Sequence, residues 1–122
     1  MSFDPRPFIE HYRAMNAGEQ REMSERAAEA NIEARRLAAS ILKADPSVSS
    51  VTLFGSLAEG GPRRKEFDID LALDGGDLYE ALDVTEGSPF DVDVDRLDLR
   101  PNHLRARIQA RGVVLASNPG RQ

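Results

Sequence analysis

The chain of 122 residues has no cysteine, which excludes disulfides and thiolate-bound metals and leaves the redox compartment unmarked. No run approaches the roughly 18 apolar residues needed to cross a bilayer. The start, MSFDPRPFIEHYR, is acidic and aromatic and lacks the basic-then-apolar order of a secretory signal, so a cytoplasmic protein is expected. Positive charge is not in surplus either, since the formal net charge is −5. Coating nucleic acid requires clustered Lys and Arg to neutralise phosphate, so direct nucleic-acid binding is not expected. The chain is 40% apolar and 30% charged, the balance of one folded domain with a modest core rather than of a disordered segment.

Periodicity divides the sequence into short elements. Phe8, Ile9, Tyr12 and Met15 follow a proline at helical spacing and predict a first helix over 5–16, which Gly18 interrupts. A long charged helix is expected from Glu19 to about Ala44, with Met23, Ala27, Ala30, Ala34, Leu37 and Ile41 along one face. Asp45-Pro46 ends it. Strands are predicted over Val48–Phe54, Phe67–Leu73 and Phe90–Val94, with a short helix over Asp77–Leu82. A last helix, Pro101–Arg111, turns Leu104 and Ile108 inward, with Gly112 capping it before a short strand, Val113–Leu115. The fold class expected is α/β (α+β): a small mixed sheet of about four strands backed by helices. Residues 1–35 are expected to be an N-terminal helical extension, 36–116 the core domain and 117–122 a tail.

The stretch VTLFGSLAEGGPRRKEFDIDLAL, residues 51–73, carries the chemistry. Alternation along its second strand places Asp68 and Asp70 on one face while Phe67, Ile69 and Leu71 point into a core. Two neighbouring carboxylates repel, and a fold tolerates them best around a divalent cation. Gly55-Ser56, at the end of the preceding strand, suits a metal-bound phosphate: glycine lets the backbone approach, and serine supplies a hydroxyl and an amide donor. Asp91, Asp93 and Asp95 share one face of the third strand, opposite Phe90, Val92 and Val94. His11 and His103 have no paired ligands, and Arg63-Arg64-Lys65 reads first as a solvated loop and otherwise as a phosphate or partner contact.

The order Gly55-Ser56, eleven further residues, Asp68-Ile69-Asp70, then a later acidic strand resembles the minimal nucleotidyltransferases (MNT) of the polymerase-beta superfamily. The resemblance extends over about residues 36–116 and includes the closing PNHLRARIQARGVVL. It implies a polymerase-beta-like nucleotidyltransferase fold and transfer of a nucleoside monophosphate from a triphosphate, with release of pyrophosphate. The family's Pro-aromatic-x-Val-Asp pattern makes Asp93 the third ligand beside Asp68 and Asp70, with Asp91 in reserve. The site then holds Mg²⁺, two ions being expected in such displacements, and takes ATP as substrate. Gly55, Ser56, Arg63 and Arg64 would bind the nucleotide. One departure stands out: the family turn commonly reads Gly-Ser-x-Ala-Arg-Gly, whereas here it reads Gly-Ser-Leu-Ala-Glu-Gly, which sets Glu59 near the expected triphosphate.

The resemblance also implies a partner. A core of about 80 residues leaves nothing for an acceptor-binding domain, so the acceptor site is shared with another chain or the acceptor is itself a protein. Stand-alone MNT chains are typically encoded beside HEPN proteins, helical RNases, as antitoxins that move AMP from ATP onto the toxin, often onto a tyrosine hydroxyl. The alanine stripe at 19–44 suits close packing on a partner helix, on the chain's own sheet or in a homo-oligomer. The alternative is a catalytically weak MNT-fold binding module that neutralises its partner by contact, a reading that Glu59 favours.

Overall fold

The structure is a computed structural model that describes residues 15–62 and 66–119. Of the first expected helix only Met15 and Asn16 lie within them; Phe8, Ile9, His11 and Tyr12 fall outside. The described chain forms three helices and four strands: α1 (Ala17–Ala44), β1 (Val48–Phe54), β2 (Ile69–Gly75), α2 (Leu78–Thr85), β3 (Val92–Arg96), α3 (Asn102–Arg111) and β4 (Val113–Ser117). A 3₁₀ turn, Leu97–Leu99, joins β3 to α3. The sheet order is β3-β2-β1-β4, with β1 antiparallel to both neighbours and β2 parallel to β3. It is a small α+β fold with a helix at its N-terminal end. Among the described residues no helix is long and apolar enough to cross a membrane.

Gly18 does not interrupt the chain; it lies in the first turn of α1. The start is set two residues earlier, where the Asn16 side chain accepts the Glu19 N–H at 2.8 Å and satisfies one orphan donor of the helix. From there α1 runs unbroken across residues 35 and 36, so the boundary expected between extension and core falls inside one helix. Met23, Ala30, Ala34, Leu37, Ala38 and Ile41 are its buried residues. Five of them, Ala30 to Ile41, join Val51, Leu53, Ile69, Leu71 and Leu73 in the main core cluster. The alanine stripe is therefore filled by the chain's own sheet. Small side chains let the 28-residue helix lie close against β1 and β4, and each large apolar side chain buried there contributes about 1.5–3 kcal/mol.

Pairing register explains where the strands depart from the sequence pattern. β2 and β3 each begin two residues later than expected, because their parallel ladder starts at Ile69 opposite Val92. Phe67 and Phe90, ahead of the two strands, pack ring against ring at 6.3 Å, with the Arg26 guanidinium of α1 4.6 Å from the Phe90 centroid. This tilted stack ties the entries of both strands to α1. The Asp77 side chain caps α2 by accepting the Tyr79 N–H, so the helix starts after Asp77 and extends to Thr85. β4 continues to Ser117, and the Asn118 N–H still donates to the Ser49 carbonyl, so the expected tail begins as ordered backbone.

Gly112 ends α3 for a reason other than a left-handed cap, since its φ is −80°. A Cβ there would lie 2.5 Å from the Ile108 carbonyl oxygen, 2.6 Å from Thr52 Cγ2 and 2.9 Å from the Leu53 carbonyl oxygen. Two of those atoms are backbone and cannot rotate away. Gly112→Ala is expected to cost about 1–3 kcal/mol by forcing α3 off β1; a lowered urea midpoint at unchanged slope is the check.

Candidate metal centre

One end of the sheet gathers the acids. β1 finishes where β2 and β3 begin, and register sets Phe54 beside Asp70 and Asp70 beside Asp93. The odd-numbered neighbours Ile69 and Leu71 point to the α1 core, so Asp70 and Asp93 point to the opposite face, and Asp68 projects to that side as well. One carboxylate oxygen from each of Asp68, Asp70 and Asp93 lies within 4.8 Å of the others. These three form a set able to hold a metal ion.

Their electrostatics fit that use. Asp70 is half-buried, and desolvation, reinforced by the charges of Asp93 and Asp68, pushes its carboxyl up to about 6. Asp68 lies at the exposed rim and is raised in the same direction, by desolvation first and then by its hydrogen bond and charge contact with Asp93. Without a cation, the centre is a local cost at neutral pH. A bound divalent ion reverses the sign, because the same close carboxylates then become its ligands.

Gly55 closes the centre on the β1 side. Its φ is +76°, a conformation that L side chains rarely adopt, and a Cβ would stand 2.2 Å from Asp70 Oδ2. The Gly55 carbonyl accepts the N–H groups of Ala58 and Glu59, and the Ser56 carbonyl accepts that of Gly61, so the chain turns sharply just beyond the acids. Gly55 thus stands against the Asp70 carboxylate, and Ser56 follows it in the turn. Arg63, Arg64 and Lys65 lie outside the described residues. Of the remaining acids of the third strand, exposed Asp91 is not part of the group of three, and its carbonyl accepts the Ile69 N–H. Asp95 is paired with Arg100.

Glu59 does not face the acids as an unbalanced charge. Its Oε1 lies 3.7 Å from Arg107 Nη2 and 3.9 Å from Arg111 Nε, within reach of their charge, but it is buried and accepts no hydrogen bond among the described residues. Sequence reasoning missed these arginines, because arginines on a polar helix ordinarily read as a solvated face. Their spacing of four, which puts two guanidinium groups on one side of α3, was the available signal. Glu59→Arg and Arg111→Glu are each expected to destabilise the fold by about 1–3 kcal/mol. The double exchange should recover more than half of the summed loss, a coupling that a double-mutant cycle in urea measures. Beside this pair a cavity of about 270 Å³ opens between Gly55 and α3.

No protein-family model matches the chain, and no curated protein matches it.

Proposed function

We propose that this chain is a Mg²⁺-dependent nucleotidyltransferase that moves a nucleoside monophosphate, AMP from ATP, onto a hydroxyl of a partner protein. The observation that carries this reading is the contact of a side-chain-free turn, Gly55, with Asp70 inside a group of three carboxylates on one face of the sheet. A structural role gains nothing from crowding these acids, where burial and neighbouring charge raise Asp68 and Asp70, whereas a metal-bound polyphosphate needs both the acids and the open backbone. The resemblance to the MNT family supports the same reading. Hard oxygen donors favour Mg²⁺ over softer metals, and Asp68, Asp70 and Asp93 would hold it. Bound there, the cation supplies neutralisation of the triphosphate and acidification of the attacking hydroxyl.

The chain's own residues supply position. The backbone at Gly55 and the Ser56 hydroxyl and amide would hold the terminal phosphates, with no side chain at Gly55 to keep them from the carboxylates. The acceptor oxygen forms a bond to the α-phosphorus as the bond to the bridging oxygen of the leaving pyrophosphate breaks. Pyrophosphate takes the electron pair, and the hydroxyl proton passes to the Asp93 carboxylate or to water. The partner is proposed to be a HEPN-type helical toxin and the chain its antitoxin. That part rests on the resemblance alone, since the alanine stripe of α1 is filled from within. The alternative, a binding module that acts by contact, keeps the departure at Glu59 as its support, although Arg107 and Arg111 face that charge.

The test compares ATP labelled at the α or the γ position, with Mg²⁺, in an extract of the cells that encode the chain. Label reaching a protein band from the α position alone, and lost in Asp68→Asn, is the expected result. Label from neither position with the native chain, or label retained by Asp68→Asn, overturns the reading.

A further inference from the structure

The three acids are not held alike. Asp70 and Asp93 are register partners in the β2–β3 ladder, so strand pairing fixes the backbone of both. Asp68 lies just ahead of that ladder, whose first register pair is Ile69 with Val92. The Ile69 N–H donates to the Asp91 carbonyl at 2.8 Å, immediately after Asp68. On its other side the position of Asp68 depends on Phe67.

Side chains of α1 hold that neighbour at one remove, through two points on Phe90. The first is the ring. Phe67 packs on the Phe90 ring at 6.3 Å, and the Arg26 guanidinium stands 4.6 Å from the Phe90 centroid, where the ring quadrupole attracts a cation. The second is the backbone. Glu33 accepts the Ser88 hydroxyl at 2.6 Å, and the Ser88 oxygen accepts the Phe90 N–H at 3.2 Å. Arg36 steadies Glu33, donating from Nε at 2.6 Å and from Nη2 at 2.8 Å. That hydrogen bonding holds the Glu33 carboxyl below the usual carboxylate range, so it stays an acceptor at neutral pH.

Arg26 and Glu33 are two helical turns apart and so share a face of α1. Ring stacking alone would bury Phe67 and Phe90, but apolar contact has no direction. The Glu33–Ser88 relay adds direction, because a hydrogen bond fixes distance and angle. Arg26, Phe67 and Asp68 also line one cavity of about 230 Å³, so the clamp extends to the acid-bearing residue itself.

We propose that Arg26, Glu33 and Ser88 are positioning residues for the cation centre: they fix Phe90 on α1, Phe90 holds Phe67, and Phe67 sets Asp68 within reach of Asp70 and Asp93. The part of α1 that the sequence assigns to an extension is then a support of the site. The proposal rests on the cation centre of the nucleotidyltransferase reading and not on the transfer step.

Mn²⁺ titrated with the full chain and ATP, at a temperature where circular dichroism finds each variant folded, reads the centre apart from activity. Ser88→Ala and Arg26→Gln are each expected to weaken Mn²⁺ binding by about threefold to tenfold. That is less than the roughly 10–100-fold of a group bonded directly to a metal ligand, because these residues act through two rings. Ser88→Thr keeps the hydroxyl and should bind within about twofold of native. Loss of stability alone does not change the affinity of a folded chain. A lowered melting temperature with native Mn²⁺ binding in either variant therefore makes that contact merely structural and overturns the proposal. Affinity lost in Ser88→Ala and not recovered in Ser88→Thr overturns it too. Arg26 is exposed, so Arg26→Gln decides the matter should Ser88→Ala fail to fold. Absence of Mn²⁺ binding by the native chain removes the cation centre and the proposal together.

Discussion

Asp70→Asn is expected to abolish nucleotidyl transfer and, at the same time, to stabilise the metal-free protein at neutral pH. The two effects have one cause. The Asp70 carboxyl, raised to about 6 by burial and by Asp93 and Asp68, is held in the ionised form above that pH against an unfavourable environment. The sign follows from linkage. A carboxyl whose folded pKa exceeds its unfolded value contributes stability below the unfolded value, near 4, and loses it as pH rises through about 6. Native, metal-free protein should therefore melt higher at pH 4.5 than at pH 7.5 as far as this group is concerned, and Asp70→Asn should flatten that slope. Discounted for solvent screening, relief of the charge at pH 7.5 amounts to about 1 kcal/mol, or about 3–5 °C in melting temperature. Millimolar Mg²⁺ should raise the melting temperature of the native chain and leave that of Asp70→Asn unmoved. A variant that melts lower than the native chain without metal would mean that Asp70 is a structural acid.

Gly55→Ala should have the second largest effect, and on a different quantity. The new methyl group would overlap Asp70 Oδ2 at 2.2 Å, and alanine at φ +76° adds backbone strain of roughly 1–2 kcal/mol. Relief has two routes, rotation of Asp70 away from Asp68 and Asp93, or displacement of the turn. Either dismantles the site. The expected outcome is loss of activity by more than about a hundredfold, with a fall in stability of only about 1–3 kcal/mol and an unchanged far-ultraviolet circular dichroism spectrum. The strain sits at the end of β1, whereas the core beneath it, Leu53, Ile69 and Leu71, is untouched. Activity within a few-fold of native would show that phosphate does not approach the backbone at Gly55.

These two residues were legible in the sequence, and the reason is local. Gly-Ser at the end of an apolar strand and Asp-x-Asp at the start of another fix faces by alternation alone, and the intervening eleven residues return the chain to the same end of the sheet. The α1 stripe was legible too, because intervals of three and four survive whatever the helix packs on. Asp93 was singled out from Asp91 and Asp95 by the family pattern and not by alternation, which puts all three on one face; the register Asp70 opposite Asp93 is what brings it to the other acids. Register is not written in a single strand, and that limit displaced the starts of β2 and β3 by two residues, since aromatic Phe67 and Phe90 have strong strand propensity but spend it on each other. Glu59 read as an intruding charge because its partners, Arg107 and Arg111, lie far along the chain on a helix that looks solvated. Gly112 read as an ordinary cap, and only the packing of α3 on β1 shows what its missing side chain allows.

The proposed activity depends most on Asp68, Asp70 and Asp93 acting together as a cation centre. Electron paramagnetic resonance of Mn²⁺ titrated with the full chain and ATP tests this directly, because free Mn²⁺ gives a sharp six-line signal that binding to protein broadens. Saturable loss of that signal beyond what ATP alone causes, abolished in Asp70→Asn and strongly weakened in Asp93→Asn, is the predicted result. A signal identical with and without the native chain would contradict the account, and so would binding that survives both substitutions.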